Sequence, residues 1–211
     1  MTNVLAYRGF VRASGIELLP AGGHRTVTWR NGRGVTSEIV VEPAGDDWHW
    51  RLSIADVASS DDFSLFPGVD RTIVVVEGAG MALSIGDEPE QVVLPLQPLV
   101  FSGDEATSCR LLDGPVRDLN LMTRRATTSG LVELVTLVAG SVLERHDWTV
   151  LVVLSGSVEC GGHLLERLDA VRARDASTRP VVRPVSGRDP GPCLAVVHVA
   201  SHAGTTGSHS G

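Results

Sequence analysis

The chain has no lysine; all 18 of its basic residues are arginine. That absence excludes Schiff-base chemistry, covalently held pyridoxal phosphate and a phosphate-loop lysine. Every cation is instead a permanently charged fork suited to gripping carboxylate or phosphate. Cysteine is scarce: Cys109, Cys160 and Cys193 are an odd count without CxxC spacing, the pattern of reduced thiols in a cytoplasmic protein. Long apolar runs are missing too. Ile73 to Val76 and Val150 to Leu154 are of strand length, far short of the ~18 to 20 residues of a membrane helix. Met1 to Gly15 has no sustained apolar stretch and is not read as a secretory signal. Basic residues are outnumbered by 25 acidic ones, for a net charge of −7. The surplus and its mixed distribution argue against a nucleic-acid-coating protein, which needs a net basic face.

With 43% apolar and 20% charged residues over 211 positions, the chain can bury a core of one large domain or two small ones. The pattern is that of strands. Runs rich in Val, Ile, Thr and Leu recur at Ser37–Val41, Trp48–Ala55, Thr72–Val76, Met81–Ile85, Gln91–Leu94, Leu131–Ala139, Thr149–Leu154 and Leu194–Ala200, separated by Gly, Pro, Asp and Ser clusters. Only Leu164 to Arg174 reads as either a helix or a strand after a turn. Thr72-Ile-Val-Val-Val-Glu-Gly78 is echoed by Thr149-Val-Leu-Val-Val-Leu-Ser-Gly156, and a Leu-rich segment follows each copy. Two related jelly rolls in tandem would give this repeat, with a junction near Thr123 to Gly130. Ser201 to Gly211 reads as a disordered tail, and Pro180 to Pro192 as a loop.

The usual catalytic machinery is absent from the pattern. His49 sits between two tryptophans with no histidine partner at 47 or 51, and His198 and His202 fall where a strand meets the tail. No His/Cys/carboxylate set has metal-ligand spacing, so no metal and no cofactor are expected. There is no G-x-S-x-G and no phosphate loop. Gly32-Arg-Gly34 leads into a strand pattern, so it lacks the helix terminus that would hold a phosphate.

What remains is three stretches where polar residues stand beside apolar ones. In Trp29-Arg-Asn-Gly-Arg-Gly-Val-Thr-Ser-Glu-Ile39, a turn with Asn and two glycines either lets backbone approach a ligand or simply enters a strand. From Trp48 to Ala55, alternation sets Trp48, Trp50, Leu52 and Ile54 on one face and His49, Arg51, Ser53 and Ala55 on the other. The turn Phe63-Ser-Leu-Phe-Pro-Gly68 carries two phenylalanines, followed by Arg71. In Arg117 to Arg125, Asp118, Asn120 and Met122 face together, either on the outer surface or on the wall of a ligand cavity.

Taken together, the three stretches resemble the HutD/Ves family. Its opening W-[RK]-N-G-x-G-x-T-x-E-I is matched by Trp29 to Ile39. Its W-R-x-S-I-A-x-V is matched by Trp50 to Val57, and its F-S-x-F-P-G-x-x-R by Phe63 to Arg71. Its late D-x-N-x-M-x-R-R is matched by Asp118 to Arg125. The resemblance covers roughly Ile16 to Ala200. It departs at Ser37, where members usually carry arginine, which would remove a cation beside the site. The resemblance implies an all-β, double cupin-like barrel or jelly roll, often dimeric, from a family encoded beside histidine-degradation enzymes and without established enzymatic activity. Carried over by motif, the ligand-binding residues would be Asn31, Thr36, Glu38, Arg51, Ser53, Phe66, Arg71, Asp118, Asn120 and Arg124, around one pocket in the first half.

The expected organisation is an extension over 1–15, a first cupin-like half over 16–123 with the pocket, a second half over 124–200 that is structural or dimer-forming, and the tail over 201–211. The preferred reading is a cytoplasmic, non-catalytic module that senses a small carboxylated intermediate of histidine degradation, such as urocanate or formimino-/formyl-glutamate. Its expected partners are that metabolite and a second copy of the chain, with no nucleic acid and no membrane. One alternative is a metal-independent isomerase or hydrolase with Glu38 or Asp118 as general base. A carboxylate beside arginine is expected to be a weakened base, which favours binding. A protein-interaction module without ligand is the second alternative.

Overall fold

The computed structural model describes residues 12–13, 15–29, 34–143, 149–173, 181–185 and 190–202. Among them the chain is strand after strand, with one 3-10 turn at Ala21–Gly23 and no α-helix. In chain order the strands are β1 (Arg12–Ala13), β2 (Ile16–Leu19), β3 (Arg25–Thr28), β4 (Gly34–Glu42), β5 (Trp50–Val57), β6 (Asp61–Phe63) and β7 (Val69–Glu77). Then come β8 (Met81–Ile85), β9 (Gln91–Val93), β10 (Leu99–Ser102), β11 (Thr107–Leu111), β12 (Val116–Arg124) and β13 (Thr128–Thr136). The last are β14 (Val150–Ser155), β15 (Val158–Cys160), β16 (His163–Leu165), β17 (Ala170–Ala173), β18 (Val182–Pro184) and β19 (Cys193–Ser201).

The chain divides into two compact units, one of Met1–Gly23 with Val135–Val196 and one of His24–Leu134 with Val197–Gly211. The sequence reading placed a single junction near residue 123, which falls inside β12. It also assigned residues 16–23 to the first half, and 12–13 to an extension. In the structure β1 pairs with β2, and β2 pairs with β17, because the apolar Ile16 completes a core of Leu151, Val153, Val171 and Leu194. Sequence order alone does not reveal such an exchange, since pairing partners here lie about 150 residues apart in the chain.

In the unit of His24–Leu134, a six-stranded antiparallel sheet runs β10-β7-β12-β5-β4-β3, and a four-stranded sheet runs β6-β11-β8-β9. Ala55, Val57, Ile73, Val75 and Val116 of the larger sheet meet Met81, Leu83, Ile85 and Cys109 of the smaller. The continuous apolar run of β7 arises because both faces of its sheet are buried, Thr72 to Val75 on alternating sides. All three cysteines are buried free thiols.

The repeated segments occupy matching places. β7 and β14 each end at a glycine with positive φ, Gly78 at 97° and Gly156 at 72°. After two further strands each unit has a leucine in the left-handed region, Leu96 at 59° and Leu168 at 68°. The Leu96 N–H donates to Val75 O at 2.9 Å, and the Leu168 N–H to Val153 O at 2.7 Å. The ambiguous segment from Leu164 therefore holds the end of β16, that turn and β17, not a helix. The Pro180 to Pro192 stretch contains β18, which pairs with β15; its residues 180 and 186–189 lie outside the described ones, as does most of the expected tail. His202 closes the described chain with its N–H on Thr127 O.

Gly103 fixes the turn that carries Phe66. The Phe66 N–H donates to Gly103 O and the Gly103 N–H to Val69 O, at 2.8 and 2.7 Å. A Cβ at position 103 would stand 2.7 Å from Phe66 O and 3.0 Å from Val69 O. Gly103→Ala is therefore expected to destabilise the fold by about 1–3 kcal/mol through overpacking, as read by urea denaturation.

Candidate functional site

Register places the polar residues in rows across one face of the larger sheet. Phe101, Arg71, Met122, Arg51 and Val41 stand side by side on β10, β7, β12, β5 and β4. One two-residue step away are Ile73, Asn120, Ser53 and Glu38; another step away are Val75, Asp118, Ala55 and Thr36. Beyond lies the valine layer of the core. Period-2 alternation is what lines these side chains up on one face of the sheet.

Two bulges flank this face. In β4 the pairing with β5 shifts between Glu38 and Val40, and in the β12–β7 pair it shifts between Arg117 and Asp118. Such irregularities bend a strand and re-aim its side chains. Beside the first bulge a cleft of about 350 Å³ is lined by Arg25, Glu38, Val41, Asp46, Trp48 and Arg51, with Ala44 and Gly45.

The two arginines of the first row are boxed by aromatic rings. The Arg71 guanidinium carbon lies 5.0, 5.6 and 4.9 Å from the ring centres of Phe63, Phe66 and Phe101. That of Arg51 lies 5.2 Å from Trp48 and 5.0 Å from Phe66. Phe66 thus faces both cations, each contact contributing on the order of 1 kcal/mol. Between them Met122 accepts the Arg51 Nε–H on its sulfur at 3.1 Å. Burial depresses the pKa of both arginines, with Glu38 partly offsetting it at Arg51. Arg71, brought down to about 10, is held up by Asp118 and lowered further by Arg51.

Behind them the site is starved of partners. Arg71, Asp118 and Asn120 are only 6%, 1% and 7% exposed. Arg71 Nε, Asp118 Oδ1 and Asn120 Oδ1 are buried without a hydrogen-bond partner, a state that typically costs about 1–3 kcal/mol per group. Burial raises the Asp118 pKa to about 7, against the opposing pull of Arg71 and a hydrogen bond from Asn120. The expectation that arginine would depress this carboxylate is thus overturned, because desolvation outweighs the ion pair.

Of the ten residues carried over by motif, Arg51, Ser53, Phe66, Arg71, Asp118 and Asn120 come together, and Glu38 joins Arg51 at the cleft. Glu38 is itself engaged by Arg25, Nη2 at 2.6 Å and Nε at 2.7 Å. Thr36 accepts the Trp29 indole N–H at 2.8 Å. Arg124 donates to Trp48 O at 2.7 Å and covers the Trp48 ring at 4.7 Å, so it holds the cleft wall. Asn31 lies outside the described residues. Ser37 pairs with Ile54 on the opposite face from Glu38, so the departure there does not remove a cation from this face.

Trp48, Phe63, Phe101, Met122 and Arg25 were not foreseen as site residues. Alternation had set Met122 on the face of Asp118 and Asn120 without giving it a role; pairing across the sheet, which local pattern does not encode, brings in Phe101. No group of three or more His, Cys, Asp and Glu that could hold a metal occurs among the described residues. The first row offers guanidiniums, which have no lone pair to give, so this donor set does not fit a metal ion.

The jelly-roll sheets define a cupin-fold protein, and its polar sheet face carries two arginines. A cupin 2 conserved barrel domain protein from Leptotrichia buccalis shares this fold at 11% identity, with a TM-score of 0.56 over 82% of this chain and 92% of that one. The HutD family model matches residues 21–186, and the chain belongs to that family. HutD from Pseudomonas fluorescens SBW25, solved in a formate condition, is 32% identical, with a TM-score of 0.74 over 89% of this chain and all of that one. Protein Ves of Citrobacter koseri is 38% identical over 65% of this chain and 72% of its own. An uncharacterized 21.2 kDa protein in the hutC 3' region of Pseudomonas putida is 41% identical over 52% of this chain. The match spans 58% of that relative's length.

Asp118 gives the site a testable signature. Its native pKa lies above the unfolded value of about 3.9, so between about pH 4 and 7 the native state holds a proton that the unfolded state has lost. Stability from this group is therefore full at low pH and falls as pH rises through 7, by on the order of a few kcal/mol. Asp118→Asn is expected to flatten that slope in urea midpoints taken from pH 4.5 to 8; an unchanged slope would place the titration elsewhere.

Proposed function

We propose that this protein binds a small carboxylated metabolite without transforming it, of the class formed in histidine degradation: urocanate or formimino-/formyl-glutamate. The observation that carries the reading is the pair Arg51 and Arg71 on one sheet face, boxed by rings, with Arg51 lining a cleft of about 350 Å³. Neither guanidinium has a carboxylate in salt-bridge contact among the described residues, and for the buried Arg71 the distant pull of Asp118 leaves room for a closer anion. Family membership, and a relative lying in a hutC region, point the same way on ligand class. Among the described residues no helix is long and apolar enough to cross a membrane, and a sensing role in the cytoplasm fits thiols that are free.

One observation favours a second reading. A carboxyl pushed up to about 7 is matched to general-base work at neutral pH, so Asp118 rather than Glu38 would carry an isomerase or hydrolase. Steady turnover that disappears in Asp118→Asn while binding persists would establish that enzyme.

The test is a calorimetric and thermal-shift panel of urocanate, histidine, formiminoglutamate, N-formylglutamate, glutamate and formate, with and without EDTA. A selective, EDTA-insensitive response is expected, and Arg51→Ala or Arg71→Ala should lower affinity more than about 25-fold without unfolding the protein, as loss of a charge-assisted pair costs ~2–5 kcal/mol. A flat panel would leave the protein-interaction module as the better account.

A further inference from the structure

The buried atoms behind the arginines say more about the ligand than the arginines do. The Arg71 guanidinium brings a donor, and Asp118 and Asn120 bring acceptors. Arg71 Nε, Asp118 Oδ1 and Asn120 Oδ1 all lack partners, on side chains more than nine-tenths buried. Asn120 already spends its amide donor on the Asp118 carboxyl, so its carbonyl remains an acceptor whatever the charge on Asp118. Across the pair β7–β12, Arg71 stands opposite Met122 and Asn120 one two-residue step away, a distance of roughly 7 Å along the strand. A plain carboxylate would satisfy the arginines and leave both acceptors bare.

We propose that the ligand is an acid that also carries an N–H or O–H donor a few bonds from its carboxylate, with the anion on Arg51 and Arg71 and the donor on the Asn120 carbonyl. The inference rests on the carboxylate-binding reading and narrows it. A site built to accept from such a donor discriminates sharply against an analogue that lacks it, because its own buried acceptors are then left unpaired.

Matched pairs test this in the wild-type chain by titration calorimetry. Urocanate is set against 3-furylacrylate, in which a ring oxygen replaces the nitrogen donor, and N-formylglutamate against its N-methyl derivative. At least one donor-bearing acid is expected to bind about tenfold or more tightly than its partner. That gap should shrink to within about twofold in Asn120→Leu. Should the variant fail to fold, the wild-type comparison decides alone. Pairs that bind equally would overturn the inference and leave the carboxylate reading standing; a panel in which no acid binds would overturn both.

Discussion

Two guanidiniums flanking Met122 on one sheet face, Arg71 buried and Arg51 half-buried, are the constraint around which this unit is organised. Moving even one cation out of water is costly unless other groups replace the lost hydration, and here a second stands one strand pairing beyond Met122. The replacement comes from π faces on several elements: Phe63 on β6, Phe66 in the following turn, Phe101 on β10 and Trp48 before β5. Asp118 supplies the one opposite charge named at Arg71, and Glu38 the one at Arg51. The box softens the cost without neutralising it. That residue of uncompensated charge is what an anionic ligand would answer.

Much of the surrounding structure can be read as support for that arrangement. Arg125 pairs with Asp70 and Asp104, while the Gly68 N–H donates to Asp104. These contacts tie down the turn that delivers Phe66. On the other side Arg124 and Thr128 fasten the segment around Trp48, the first through Trp48 O and the second through His49 O. Conserving cation count would therefore not conserve function: Arg124 and Arg125 are positioning residues, whereas Arg51 and Arg71 face the site. Arg25 differs again, since it is largely exposed and its partner is Glu38. Exposed pairs of that kind contribute little to stability, so its place at the cleft matters more than its energy.

Local pattern carried most of the fold class. Val/Ile/Thr runs of strand length, broken by glycine and proline, have few alternatives to an all-β sandwich. Period-2 alternation correctly put Arg51 with Ser53 and Asp118 with Asn120, because side-chain direction in a strand is a local property. What local pattern does not encode is which strands become neighbours. β2 joining β17, and Phe101 reaching Arg71 through β10–β7 pairing, are decided by tertiary packing. The same blindness affected Ser37. The family's arginine at that position suggested a cation beside the site, yet one residue along a strand from Glu38 reverses the face. Thr36 and Arg124 were legible as motif positions but not as roles, since only their partners, the Trp29 indole and Trp48 O, reveal them.

The rise of the Asp118 pKa changes the reason for preferring binding to catalysis without reversing it. A carboxyl near 7 is suited to accept a proton. Its ionised form, however, depends on Arg71, the strongest influence that favours it. An acid seated on Arg71 would share that cation and add a second negative charge nearby, and both effects favour the neutral form of Asp118. The group would then be protonated when the ligand is present, which is the moment a general base must be free. With an anionic ligand on Arg71, the arrangement would therefore disable Asp118 as a base and leave it a hydrogen-bonding group in the proposed site.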